Sequence, residues 1–75
     1  MTKELYTIGE TAKLLGVSTQ TLRFYDKKKI LSPIHIDSDT GYRYYSYKQF
    51  HIIDRIKYLQ GFGLSLDEIA VIIKE

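Results

Sequence analysis

The sequence predicts a mainly α-helical domain of about four helices with one small β-hairpin between the second and third. Three observations carry that prediction. Apolar residues recur at helical spacing in separate segments, each preceded by a Ser or Thr placed to cap the helix start. The turn formers Asp37-Ser38-Asp39-Thr40-Gly41 separate two short β-prone stretches. Gly16 and Ser18 leave room for only a tight turn between the first two helices.

Each element follows from its own residues. Thr7-Ile8-Gly9-Glu10 matches a capping box, in which Thr7 accepts from the third helical amide and Glu10 reaches back to the cap. Ile8, Ala12 and Leu15 then share one helix face. Gly16 takes a left-handed backbone without a Cβ clash, so it ends the helix. Ser18 caps a second helix from Thr19 to about Lys28, and the pair forms a helix-turn-helix over about residues 8–28. On a wheel, Ser18, Thr21, Leu22 and Tyr25 lie on one side. Thr19, Gln20, Arg23, Phe24 and Lys27 lie on the other, with Asp26 near the border. Lys27-Lys28-Lys29 puts positive charge at the helix C-terminus, where the macrodipole favours it. Pro33 ends any helical reading.

Ile34-His35-Ile36 and Tyr42-Arg43-Tyr44-Tyr45 flank the turn formers and read as a hairpin over about residues 34–45. A hairpin alone is marginal in water, so it must lean on the helices or on a ligand. Ser46-Tyr47-Lys48-Gln49 is a second capping box, opening a helix over about 47–60 with Ile52, Ile53, Ile56 and Leu59 as its apolar stripe. Gly61-Phe62-Gly63 breaks it. Ser65-Leu66-Asp67-Glu68 is a third box, opening a helix over about 66–75 that repeats Leu66, Ile69, Ala70 and Ile73. A helix-turn-helix followed by a hairpin is a winged helix-turn-helix layout.

Composition narrows the function. The chain has 75 residues, one domain at the usual scale of roughly 100–200 residues each. It contains no cysteine, which excludes disulfides, thiolate metal sites and cysteine nucleophiles. No apolar run approaches the roughly 20 residues that span a bilayer. The polar start Met1-Thr2-Lys3-Glu4 does not read as a signal peptide, so the expected compartment is the cytoplasm. Net charge is +2 but uneven: residues 1–34 hold six Lys/Arg against three acids, and residues 65–75 hold one against three. A basic front and an acidic tail suggest an anionic partner for the front.

The outward face of the second helix fits DNA. An α-helix enters the major groove, and Gln20 and Arg23 carry forks that read base edges. Arg43 is expected near the wing tip, against the backbone or minor groove. Alternation puts Tyr42 and Tyr44 on one face of the wing, with Arg43 and Tyr45 on the other. One face is expected to pack and the other to touch phosphates. Pattern alone also fits a helical bundle whose second helix simply shows a solvated polar face. His35 and His51 lack the spacing of metal ligands. No oxyanion hole or orienting third group accompanies Ser18, Asp26 or His51, so no enzyme and no cofactor is expected.

Four motifs, in order, resemble the MerR family of bacterial transcription regulators. They are Tyr6-Thr7-Ile8-Gly9-Glu10 with Ala12 to Ser18; Thr21-Leu22-Arg23-Phe24-Tyr25-Asp26; Gly41-Tyr42-Arg43-Tyr44-Tyr45; and Gly61-Phe62-Gly63-Leu64-Ser65-Leu66-Asp67-Glu68-Ile69. The tyrosine-rich wing is most like the multidrug-responsive branch. The resemblance implies sequence-specific binding to double-stranded promoter DNA as a homodimer, with the DNA distorted so that RNA polymerase can use the promoter. It implies DNA contacts from Thr19, Gln20, Arg23, Phe24, Tyr25 and Lys27 on the second helix, and from Tyr42, Arg43 and Tyr44 on the wing. Lys57 on the third helix is a further candidate. Many relatives carry tyrosine where this chain has Phe24, so a hydroxyl contact is missing here. In relatives a dimerisation helix and an effector domain follow; neither is present in residues 1–75, which are expected to form a single DNA-binding domain. Val71 and Ile72, off the apolar stripe of the last helix, would suit packing against that further helix. The other reading is a protein–protein adaptor built on the same fold.

Overall fold

The structure is a computed structural model and describes residues 4–74. The elements run β1 (Leu5–Thr7), α1 (Ile8–Leu15), α2 (Thr19–Lys27), β2 (His35–Ile36), β3 (Arg43–Ser46), α3 (Phe50–Gly61) and α4 (Leu66–Lys74). A 3₁₀ turn over Tyr47–Gln49 leads into α3. The readings that involve Met1, Thr2, Lys3 and a helix end at Glu75 lie outside the described residues.

The expected caps form. The Glu10 amide donates to Thr7 Oγ1 at 3.1 Å, and the Thr7 amide donates to Glu10 Oε1 at 2.9 Å. The same reciprocal pair joins Ser65 and Glu68 ahead of α4. At Ser46 the Gln49 side chain closes the box, but the turn it opens is 3₁₀ before it becomes α3. α1 ends at Gly16, φ 68°, with the Val17 amide donating back to the Ala12 carbonyl.

α2 ends in the same manner without a glycine. Lys29 takes the left-handed position, φ 60°. Its amide donates to the Asp26 carbonyl at 3.0 Å, and the Ile30 amide to the Tyr25 carbonyl at 2.9 Å. Ile30 and Tyr25 are both buried, which supplies the apolar contact that accompanies this ending. A Cβ in that conformation costs roughly 1–2 kcal/mol, so packing holds the lysine there.

The sheet corrects the hairpin reading. It has three antiparallel strands in the order β1-β3-β2, so Leu5–Thr7 forms a strand that the sequence did not signal. Tyr6 faces Tyr45, Thr7 faces Tyr44, His35 faces Tyr44 and Ile36 faces Arg43. The extra strand pins the wing to the start of α1 and removes the marginality of a lone hairpin.

One core joins the elements: Ala12, Leu22, Tyr25, Ile30, Leu31, Tyr45, Ile53, Ile56 and Ile69 are buried. α2 contributes Leu22 and Tyr25 to it, β3 contributes Tyr45, and both are thereby fixed relative to α3. Burying a side chain of this size is worth about 1.5–3 kcal/mol. Thr11 Oγ1 and Tyr45 Oη are buried without a hydrogen-bond partner. Burial pushes the Tyr45 hydroxyl pKa up, and the nearby Asp26 charge adds to that.

Candidate nucleic-acid interface

α2 presents two chemically distinct sides. Ser18 starts it, accepting from the Thr21 amide at 3.0 Å. Leu22 and Tyr25 then turn into the core, which leaves Thr19, Gln20, Arg23, Phe24 and Lys27 outward and exposed. The side chains of Gln20, Arg23 and Lys27 make no hydrogen bond or ion pair among the described residues. Phe24 is 43% exposed, with Lys28 Nζ 5.8 Å from its ring centroid. Lys28 also reaches Asp67 on α4 at 3.4 Å. The outer row therefore carries a hydroxyl, an amide, a guanidinium and an ammonium on one exposed stripe.

The wing stands beside that stripe. Its tip is built by Asp37, whose carboxylate accepts from the Asp39 and Thr40 amides at 2.8 and 3.0 Å. Those amide bonds hold the Asp37 carboxyl below its ordinary range. The Gly41 amide donates to the Asp37 carbonyl at 2.8 Å and closes the turn. Tyr42 leaves this turn 63% exposed. Tyr44 is half-buried, with its ring 5.9 Å from that of His35. Tyr45 is fully buried, so the expected division of the wing into a packed and an outward face is present. A cleft of about 370 Å³ separates wing from helix, lined by Thr7, Ile8, Arg23, Gly41, Tyr42 and Arg43.

Three residues expected to contact DNA are bonded within the domain. Tyr25 is 1% exposed and donates its hydroxyl to Gln60 Oε1 at 3.0 Å, so it anchors α2 to α3 from inside. Burial raises its hydroxyl pKa. Lys57 donates from Nζ to the Leu15 carbonyl at 2.5 Å, satisfying an orphan carbonyl at the end of α1. Arg43 is not at the wing tip. It opens β3 opposite Ile36, and its Nη1 donates to Asp26 Oδ2 at 2.6 Å.

Asp26 is the residue that sequence reasoning passed over. Its other carboxylate oxygen accepts from Ser32 Oγ at 2.6 Å. The Ser32 hydrogen bond, followed by that from Arg43, holds its pKa below the ordinary value. Gln49 in turn donates to the Ser32 carbonyl at 2.8 Å. The end of α2, the segment before the wing and β3 thus meet at one carboxylate, and the turn before α3 joins them through Ser32. In the sequence Asp26 shows only as a border position on the helical wheel and as the last residue of the second family motif.

The geometry defines a class: a winged helix-turn-helix domain with a free polar row on its second helix. The chain belongs to the MerR helix-turn-helix regulatory protein family, whose profile matches residues 6–75. It is 44% identical over 68 residues to the multidrug-efflux transporter 1 regulator of Bacillus subtilis, a match that covers 91% of this chain and 24% of that protein. It superposes with TM-score 0.85 on MtaN, the N-terminus of the Bacillus subtilis multidrug transporter activator, at 33% identity over 93% of this chain and 65% of that one. It superposes with TM-score 0.80 on HiNmlR, a MerR family regulator lacking the sensor domain and bound to promoter DNA, at 31% identity over 93% of this chain and 55% of that one. The chain spans about a quarter of the length of the curated multidrug-efflux regulators that it matches. Those relatives are regulators rather than enzymes. No helix among the described residues is long and apolar enough to cross a membrane.

Proposed function

We infer that this domain binds double-stranded promoter DNA, with α2 in the major groove and the wing beside the flanking backbone. The observation that carries the reading is the exposed, unpartnered row Thr19, Gln20, Arg23 and Lys27 on a helix whose opposite side is locked into the core. Gln20 and Arg23 supply the forked groups that discriminate base edges, and Lys27 and the Tyr42 hydroxyl suit phosphates. Phe24 offers apolar contact only. Tyr44 is half-buried with its ring near that of His35, so it reaches outward less than Tyr42. A relative of the same fold bound to promoter DNA favours this reading over a protein–protein adaptor.

In the whole regulator, two such domains would sit on the two halves of a symmetric site, joined by a helix beyond residue 75, and act with RNA polymerase at the promoter. The cytoplasm is the compartment that fits this role. A mobility-shift assay with mixed-sequence competitor tests the domain's part directly. Retarded duplex whose affinity falls linearly in log–log form with salt is expected. Failure to retard any duplex at low salt would remove the reading.

A further inference from the structure

We propose that the Asp26–Arg43 ion pair is a positioning device that fixes the wing against α2 and covers a carboxylate that would otherwise face the DNA backbone. The inference rests on the DNA-binding reading above and assigns these residues a part in it. Arg43 then acts through Asp26 rather than by touching phosphate.

The geometry supports each step. Asp26 sits in the last turn of α2, the element that carries the outer row. Arg43 opens β3, the strand that leads from the wing tip into the core through Tyr45. The two are 17 residues apart, and their bond joins the second helix directly to the wing. Both carboxylate oxygens are used, one by Arg43 and one by Ser32. The side chains are only 29% and 22% exposed, so the pair is shielded from screening by solvent better than a surface bridge. Arg43 also lines the cleft between helix and wing that Arg23 and Tyr42 share.

Charge arithmetic gives the second role. A free carboxylate beside a cleft meant for phosphate repels its ligand. Paired with Arg43, Asp26 contributes no net charge there. The cleft keeps the cation of Arg23 and the hydroxyl of Tyr42, and the wing keeps its angle.

A neutral replacement of the pair separates positioning from contact. The variants are Arg43→Gln, Asp26→Asn and the double variant Asp26→Asn/Arg43→Gln, which restores charge balance and leaves an amide–amide hydrogen bond. Affinity of the 75-residue chain for a labelled mixed-sequence duplex is measured across a potassium chloride series. Melting curves accompany each variant. Arg43→Gln is expected to bind about tenfold more weakly, because an unpaired carboxylate now faces the duplex. The double variant is expected to recover to within about threefold of the wild type, with the same salt slope. If Arg43 instead contacts phosphate, the double variant stays weaker than that and its slope falls by about one unit. That result overturns the proposal, as does an Arg43→Gln variant that binds like the wild type. Should Arg43→Gln not fold, the double variant compared with the wild type decides by the same threshold and slope. Failure of the wild-type chain itself to bind any duplex would instead strike the DNA-binding reading on which this role depends.

Discussion

Arg23 of α2 and Arg43 of the wing line one cleft, yet the two cations are used differently. Arg23 is exposed, and its side chain has no hydrogen-bond or ion-pair partner among the described residues. Arg43, across the cleft, is mostly buried and bonded to Asp26 at 2.6 Å. Both are arginines in motifs that resemble the same family, and both were expected to touch DNA. Residue type and motif position thus identify a surface, whereas the partner of a side chain decides whether it is available. A free guanidinium can exchange water for a base edge or phosphate. A paired one must first abandon a partly desolvated carboxylate.

The sharpest break of the comparison comes from the buried side of α2. Tyr25→Ala removes a fully buried ring and should destabilise the domain by about 3–5 kcal/mol. For so small a domain that approaches the whole stability. Tyr25→Phe keeps the ring and loses only the bond to Gln60, so it should cost about 1 kcal/mol. Thermal melts of both would show whether Tyr25 belongs to the core. Wild-type stability with lost DNA affinity in Tyr25→Ala would return it to the interface.

The two arginines should then part company. Arg43→Ala is expected to lower stability by about 1–3 kcal/mol, because Asp26 is left with an unmatched charge in a partly buried place. Arg23→Ala should leave stability within about 0.5 kcal/mol of wild type. It should instead weaken binding to the operator by about 1–3 kcal/mol if it forks onto a guanine. Urea melts beside anisotropy titrations would test this crossing pattern. Equal stability losses in both variants would erase the distinction.

Smaller effects sharpen the picture around the α2 terminus. Lys29→Gly relieves a left-handed Cβ and should stabilise the domain by about 0.5–1 kcal/mol, seen as a higher melting temperature. Destabilisation would mean that the lysine side chain makes a larger contribution than its backbone costs. The pH dependence has a definite sign. The folded-state pKa of Asp26 is depressed, so its contribution is present above the unfolded value and is lost as pH falls through the folded one. The loss therefore lies below about pH 4. Asp26→Asn should flatten the part of the acid limb that this carboxylate causes, while Asp37 and Glu68, also depressed, keep the remainder. An acid limb identical to wild type would show that Asp26 is not a titrating partner.

Much of this was legible in the sequence, and the omissions have physical causes. The helices were readable because capping boxes and apolar stripes are local and periodic. Thr7 shows the limit of that reading. It is both the cap of α1 and the last residue of β1, and three residues are too few to display a strand period. The end of α2 near Lys28 was readable, but its left-handed form was not, because lysine at that position carries no sequence signal, whereas Gly16 and Gly63 do. The outward row was recovered from the wheel. Tyr25 was placed inward by the same wheel and outward by the family motif, and the structure sides with the wheel. The Asp26–Arg43 bond spans 17 residues, and no local pattern announces a pairing between a helix end and a strand start.

The division between an available Arg23 and an engaged Arg43 is tested most directly by titrating isotope-labelled protein with a short duplex, followed amide by amide and at the arginine side chains. The largest shifts are expected at Thr19, Gln20 and Arg23, including the Arg23 guanidinium, with the Arg43 guanidinium still bonded to Asp26 at saturation. Shifts concentrated at Arg43 and the wing, with the outer row of α2 unmoved, would contradict that division.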